Sequence, residues 1–161
     1  LLVLAIAVPL LGFSLGREYL AYRAAVASTG EQTLALARSM SLVVEQELRS
    51  RIAVLQTLAL SPTLAAGDLA AFRTRAEAIV AEQYPGSNML LLREDGQQLM
   101  NTALPPGAPL PTRQNLESLR RVFATGRPAV SDLFFGVAVR RPVIAIDAPV
   151  KGVDGAVAYV L

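Results

Sequence analysis

Leu1 to Gly16 carry no charge, and beyond them the apolar positions settle into first one period and then another. At 1.5 Å per residue an uncharged helix of that length crosses about 24 Å of a hydrocarbon layer roughly 30 Å thick. The expectation is a membrane helix over 1–16 that begins upstream of Leu1. Pro9 is compatible with it, because neighbouring groups can satisfy the carbonyl that a proline frees. The competing reading is a signal-peptide core with Ala25-Val26-Ala27 as its A-x-A cleavage site. Arg17, Glu18 and Arg23 separate the apolar stretch from that site, which favours the anchor.

From Arg17 to Leu60 there is no Pro, and Gly30 is the only Gly. Leu34, Ala37, Ser41, Val44, Leu48, Ile52, Leu55 and Ala59 recur at steps of three and four, the stripe of a long amphipathic helix. Leu36, Val43, Val54 and Leu58 add a second apolar flank. One surface is predicted to meet the helix's own domain, and the other the same helix in a second copy, giving a homodimer. Ser61-Pro62 closes the helix. Asp68 is the expected N-cap of the next one, which runs through Phe72, Ala76, Ile79 and Val80 to Tyr84 and stops at Pro85-Gly86-Ser87.

The period then shortens. Met89 to Arg93 reads as a strand, Glu94-Asp95-Gly96 as a tight turn, and Gln97 to Thr102 as the returning strand of a hairpin. Pro105, Pro106, Gly107, Pro109 and Pro111 mark an irregular loop. Leu116, Leu119, Arg120 and Phe123 form a short helix ending at Gly126. Strands follow over Ala129 to Phe135, Pro142 to Val150 and, after the turn Gly152-Val153-Asp154-Gly155, Ala156 to Leu161. The predicted fold class is α+β: an antiparallel sheet of five strands with helices on its faces and a long N-terminal helix continuing from the membrane span.

Composition narrows the chemistry. At 161 residues the chain holds one compact domain plus appendages, and 53% hydrophobic residues with a mean hydropathy of +0.43 suit a chain that partly meets lipid. The net charge of +2 comes from basic residues spread along the chain, which argues against a nucleic-acid interface. No Cys and no His occur. Disulfides, thiol redox chemistry, Cys/His zinc sites and Ser-His or Cys-His nucleophile pairs are therefore excluded, and no cofactor, metal or catalytic residue is expected.

The stretches LLLREDGQQLMNT (Leu90 to Thr102), FATGRPAVSDLFFG (Phe123 to Gly136), RRPVIAIDAPV and DGAVAYVL (ending at Leu161) together resemble a known family. It is the Cache-type, PAS-like extracytoplasmic sensor domain of bacterial sensor histidine kinases, diguanylate cyclases and chemoreceptors. The resemblance implies that these stretches form a central sheet and that the long helix runs up from the membrane. It also implies a place in the bacterial inner membrane with the sensor domain (17–161) in the periplasm, and a cytoplasmic output module, most simply a histidine kinase. Asp147 departs from the family, whose corresponding strand is small and apolar throughout.

Strand alternation gives the sharpest site argument. Ile144, Ile146, Ala148 and Val150 point one way, towards the long helix; Val143, Ala145, Asp147 and Pro149 point the other. The second side suits a pocket closed by the short helix and the proline-rich loop. A lone buried carboxylate is costly, so Asp147 either contacts a ligand amine or pairs internally with Arg140, Arg141 or Arg93. Asp132 shares a face with Val130 and Phe134 and lines the same pocket or bonds local backbone. Arg141 offers a fork to a ligand carboxylate or stands at a solvated strand edge. Arg93, Tyr84 and Tyr159 complete the candidate ligand-binding set, the tyrosines as pocket wall or as core. The expected ligand is an amine, an amino acid or a carboxylate. The rival readings are a structural dimerisation domain and an anchored hydrolase using Asp132 and Asp147; for the latter, no nucleophile elbow or phosphate loop is present.

Overall fold

The computed structural model describes residues 35–161. The expected membrane helix over 1–16 and the first part of the long helix lie outside the described residues. No helix among the described residues is long and apolar enough to cross a membrane. The long helix, α1, is present over 35–59. Its residues up to Glu47 and the segment Leu48–Leu161 belong to two separate compact units. On the first, Leu36, Met40, Leu42, Val43 and Val44 are exposed.

In Leu48–Leu161, α1 is followed by α2 (Pro62–Ala65), α3 (Leu69–Gln83), β1 (Leu90–Leu92), β2 (Gln98–Asn101) and α4 (Glu117–Thr125). Then come β3 (Ala129–Val130), β4 (Phe134–Gly136), β5 (Arg141–Val143), β6 (Ile146–Asp147), β7 (Pro149–Lys151) and β8 (Val157–Val160). The fold is α+β with antiparallel sheets. Local chemistry sets the element ends. The Asp68 side chain accepts from the Ala71 N–H at 3.0 Å and caps α3. Gly126, at φ 63°, takes the left-handed conformation that ends α4.

The strands form a four-stranded sheet in the order β2-β1-β8-β7 and two ribbons, β3-β6 and β4-β5. A single unbroken sheet was the expectation, and the predicted strand Pro142 to Val150 is instead cut into β5, β6 and β7. One cause is visible at Ala145, whose N–H donates to the Ser131 hydroxyl at 2.9 Å and not to a backbone carbonyl. That side-chain insertion interrupts the ladder between β3-β6 and β4-β5. The second break is slight. Ala148, between β6 and β7, exchanges both backbone bonds with Leu161 at 2.8 and 2.9 Å, while the Ala145 carbonyl accepts from Ser131 on the opposite edge. Successive backbone groups of a strand alternate edges. The hydrogen-bonded path thus runs β2-β1-β8-β7 and, through Ala148, on to β6-β3.

The four-stranded sheet separates two apolar clusters. On one face Leu91, Met100 and Val150 meet Leu58 of α1, Leu64 of α2 and Phe72 and Ala76 of α3. On the other, Leu92 and Val160, with Ala129, cover Leu119 and Val122 of α4. This corrects one expectation about α1. Leu58 is buried and Val54 packs beside it in the domain's own core, not on a flank left for a second copy. At 3.6 residues per turn, Val54 and Leu58 fall next to Leu55 and Ala59, so a core reaching round the helix takes both rows.

Candidate functional site

The β1-β2 turn positions the residue that organises the site. Gly96 sits at φ 84°, and its carbonyl accepts from the Arg113 N–H at 2.9 Å. Gln97 bridges to Thr112 beside it. The end of the proline-rich loop is thereby stitched to the hairpin, and the Arg113 side chain is directed into the interior. There Nη1 donates to Asp147 Oδ1 at 2.6 Å and Nη2 to Oδ2 at 3.1 Å, a bidentate fork. Nη2 also donates to the Ser118 hydroxyl of α4 at 2.9 Å. Arg113 is 8% and Asp147 2% exposed, so the pair has left water almost entirely. The guanidinium lies 5.3 Å from the Phe134 ring centroid. Its Nε is buried and has no acceptor.

This pair is part of the lining of a cleft of about 460 Å³. Beside it, Asn101 donates to Gln98 Oε1 at 2.8 Å and accepts from the Ala103 N–H at 2.9 Å, and both carboxamides are buried. Leu55 of α1 and Val80 of α3 contribute apolar wall, and Phe134 and Val143 of the β4-β5 ribbon the rest. At the rim Arg51 lies 4.8 Å over the Tyr84 ring and donates to Ser87 Oγ at 3.3 Å. Arg141, also at the rim, donates to the Gly86 carbonyl.

No protein-family model matches this chain, and no curated protein matches its sequence. What the site does must be read from its own chemistry.

Of the predicted residues, Asp147, Arg141 and Tyr84 come together at this cleft. Arg93 and Tyr159 do not. They line a second cleft with Glu94, Asp95 and Phe123. Asp132 is exposed and lines neither; its backbone carbonyl, not its carboxylate, accepts from Ser131 Oγ at 2.8 Å. Asp147 has the internal partner that its burial demands, but that partner is Arg113 and none of Arg140, Arg141 or Arg93. Sequence reasoning missed Arg113, Gln98 and Asn101. The available signal was thin: Arg113 is the one charged residue between Thr102 and Leu116. The alternation argument succeeds for Val150, which faces the α1 side. It holds for Asp147, which reaches Ser118 of α4 through Arg113, but not for Ile144, which is exposed and, with Ile146, lines the cleft beside Val143 and Ala145. The cleft, expected on the face away from α1 and closed by the short helix, is lined instead by Val54 and Leu55 of α1, because the strand is broken at Ala145 and does not keep one parity.

Proposed function

We propose that Leu48–Leu161 is a small-molecule-binding sensor domain of the Cache-type, PAS-like class. It serves as the extracytoplasmic part of a receptor in the bacterial inner membrane, most simply a sensor histidine kinase. The observation that carries this reading is the cleft itself, with apolar walls and a buried polar floor made of Arg113, Asp147 and two carboxamides. Ligand sites combine these ingredients, because apolar walls supply affinity while a few fixed polar groups set orientation. The strand path supports the fold assignment: the four stretches that carry the family resemblance furnish the six strands β2, β1, β8, β7, β6 and β3, antiparallel at each pairing.

The same geometry suggests how occupancy is passed on. Val54 and Leu55 of α1 line the cleft together with Phe134 and Val143 of the β4-β5 ribbon. A ligand that contacts both, and fits one spacing better than another, biases their separation; only such differential affinity moves a receptor between states. A thermal-shift screen of the chain in detergent against amino acids, carboxylates and amines tests the binding role. A ligand at a hundredfold excess over its Kd stabilises the fold by about 2.7 kcal/mol. A screen in which none of the three classes raises the unfolding temperature would count against a sensor.

Pairing with a second copy is part of the proposal, and the exposed Leu36, Met40 and Val43 support it through their helical spacing on one side of α1. Single cysteines at these positions in the Cys-free chain should form symmetric disulfides, whereas cysteines at Glu45 or Arg49 should not. Cross-linking at the latter pair alone would transfer the contact to the charged face.

A further inference from the structure

The charges lining the cleft say what kind of ligand it takes. Asp147 is the only acidic residue among them, and both of its oxygens are engaged by the Arg113 fork. An incoming amine would find no available carboxylate and would sit close to guanidinium groups. Arg141 presents the opposite situation. It is exposed at the rim and lines the cleft, and its hydrogen bond goes to a neutral carbonyl, that of Gly86. The Arg113 and Arg121 ion pairs engage Asp147 and Glu117, and Arg73 pairs with Glu77; none of these carboxylates reaches Arg141.

Resting on the sensor reading, we infer that the ligand is a small organic monoanion, a carboxylate with an apolar body. Its carboxylate is bound by Arg141, and its body lies against Phe134, Tyr84 and Val143. A planar guanidinium matches a carboxylate with two parallel hydrogen bonds. The carboxylate charge suits Arg141, whose hydrogen bond in the free cleft goes to a neutral carbonyl.

Two isosteric sets test this by calorimetric titration of the chain in detergent: phenylacetate, phenylacetamide and phenethylamine, and isovalerate, isovaleramide and isoamylamine. Within at least one set the carboxylate should bind about tenfold or more tightly than its amide and amine, the ratio expected of a charge-assisted bond. Arg141→Gln should abolish that preference, weakening carboxylate binding about tenfold more than amide binding, while the chain, in which Arg141 is exposed, stays folded. Tighter binding of the amines would overturn the anion assignment while leaving the sensor reading intact. Carboxylate preference that survives Arg141→Gln would overturn the role given to Arg141. Absence of binding by every member of both sets would also overturn the anion assignment, and the wider screen then decides the sensor reading separately.

Discussion

Asp147→Asn or Arg113→Ala should each destabilise the domain by about 3–5 kcal/mol in urea unfolding, among the largest single effects available in this fold. The reason is asymmetry. Taking both ions out of water is expensive, and their bidentate contact, with Ser118 as an extra acceptor, offsets that cost. Removing one partner leaves the other charged, with 6% or less of its side chain exposed. The joint replacement Arg113→Met with Asp147→Leu should recover most of the loss, since neither charge then remains buried. The exposed Arg121–Glu117 pair provides the contrast. Arg121→Ala there should change stability by less than about 1 kcal/mol. If Asp147→Asn costs no more than Arg121→Ala, the Arg113–Asp147 pair is not the buried fork described above.

Gly96→Ala should cost about 2–5 kcal/mol, for two separable reasons. At φ 84° any side chain is strained, and a Cβ on Gly96 would stand 2.6 Å from Leu116 Cδ2 and 2.7 Å from the Arg113 carbonyl oxygen. The second contact is with backbone, which cannot turn aside as a flexible side chain can. Gly107 isolates the first term. Its φ is 82°, and a Cβ there meets nothing within 4 Å. Gly107→Ala should therefore cost only the conformational part, about 1 kcal/mol. The difference between the two variants measures how tightly the β1-β2 turn holds the Arg113 segment. Equal losses would mean that this segment yields freely, and that Gly96 has no part in positioning the guanidinium.

Features set by neighbours in the chain were legible in the sequence. Asp68 caps α3 through an N–H three residues on, Gly126 ends α4 by its own φ, and Asp95-Gly96 makes its turn with the Gln97 N–H donating to the Asp95 carboxylate. Features set by partners far along the chain were not. Asp147 meets an arginine 34 residues earlier, with α4 and the strands β3 to β5 between them, and no periodicity connects the two. The break at Ala145 depends on a hydroxyl from the facing strand, which strand alternation does not register. Val54 and Leu58 show the limit of helical stripes: spacing finds two apolar rows but not which surface covers each. The α2 turn had a signal that was half read, since Ser61-Pro62 stops α1 and also places Pro62 at the first position of α2.

The central claim is that a small molecule occupies the cleft above Arg113 and Asp147, and thiol protection locates it most directly. Ala145→Cys puts a single sulfur in the lining of that cleft, and Ala158→Cys puts one in the cleft shared by Arg93 and Tyr159. A compound that raises the unfolding temperature should slow alkylation of the cysteine at position 145 in proportion to its occupancy and leave the rate at position 158 unchanged. Protection at 158 with none at 145 would contradict the account and move the binding site to the other cleft.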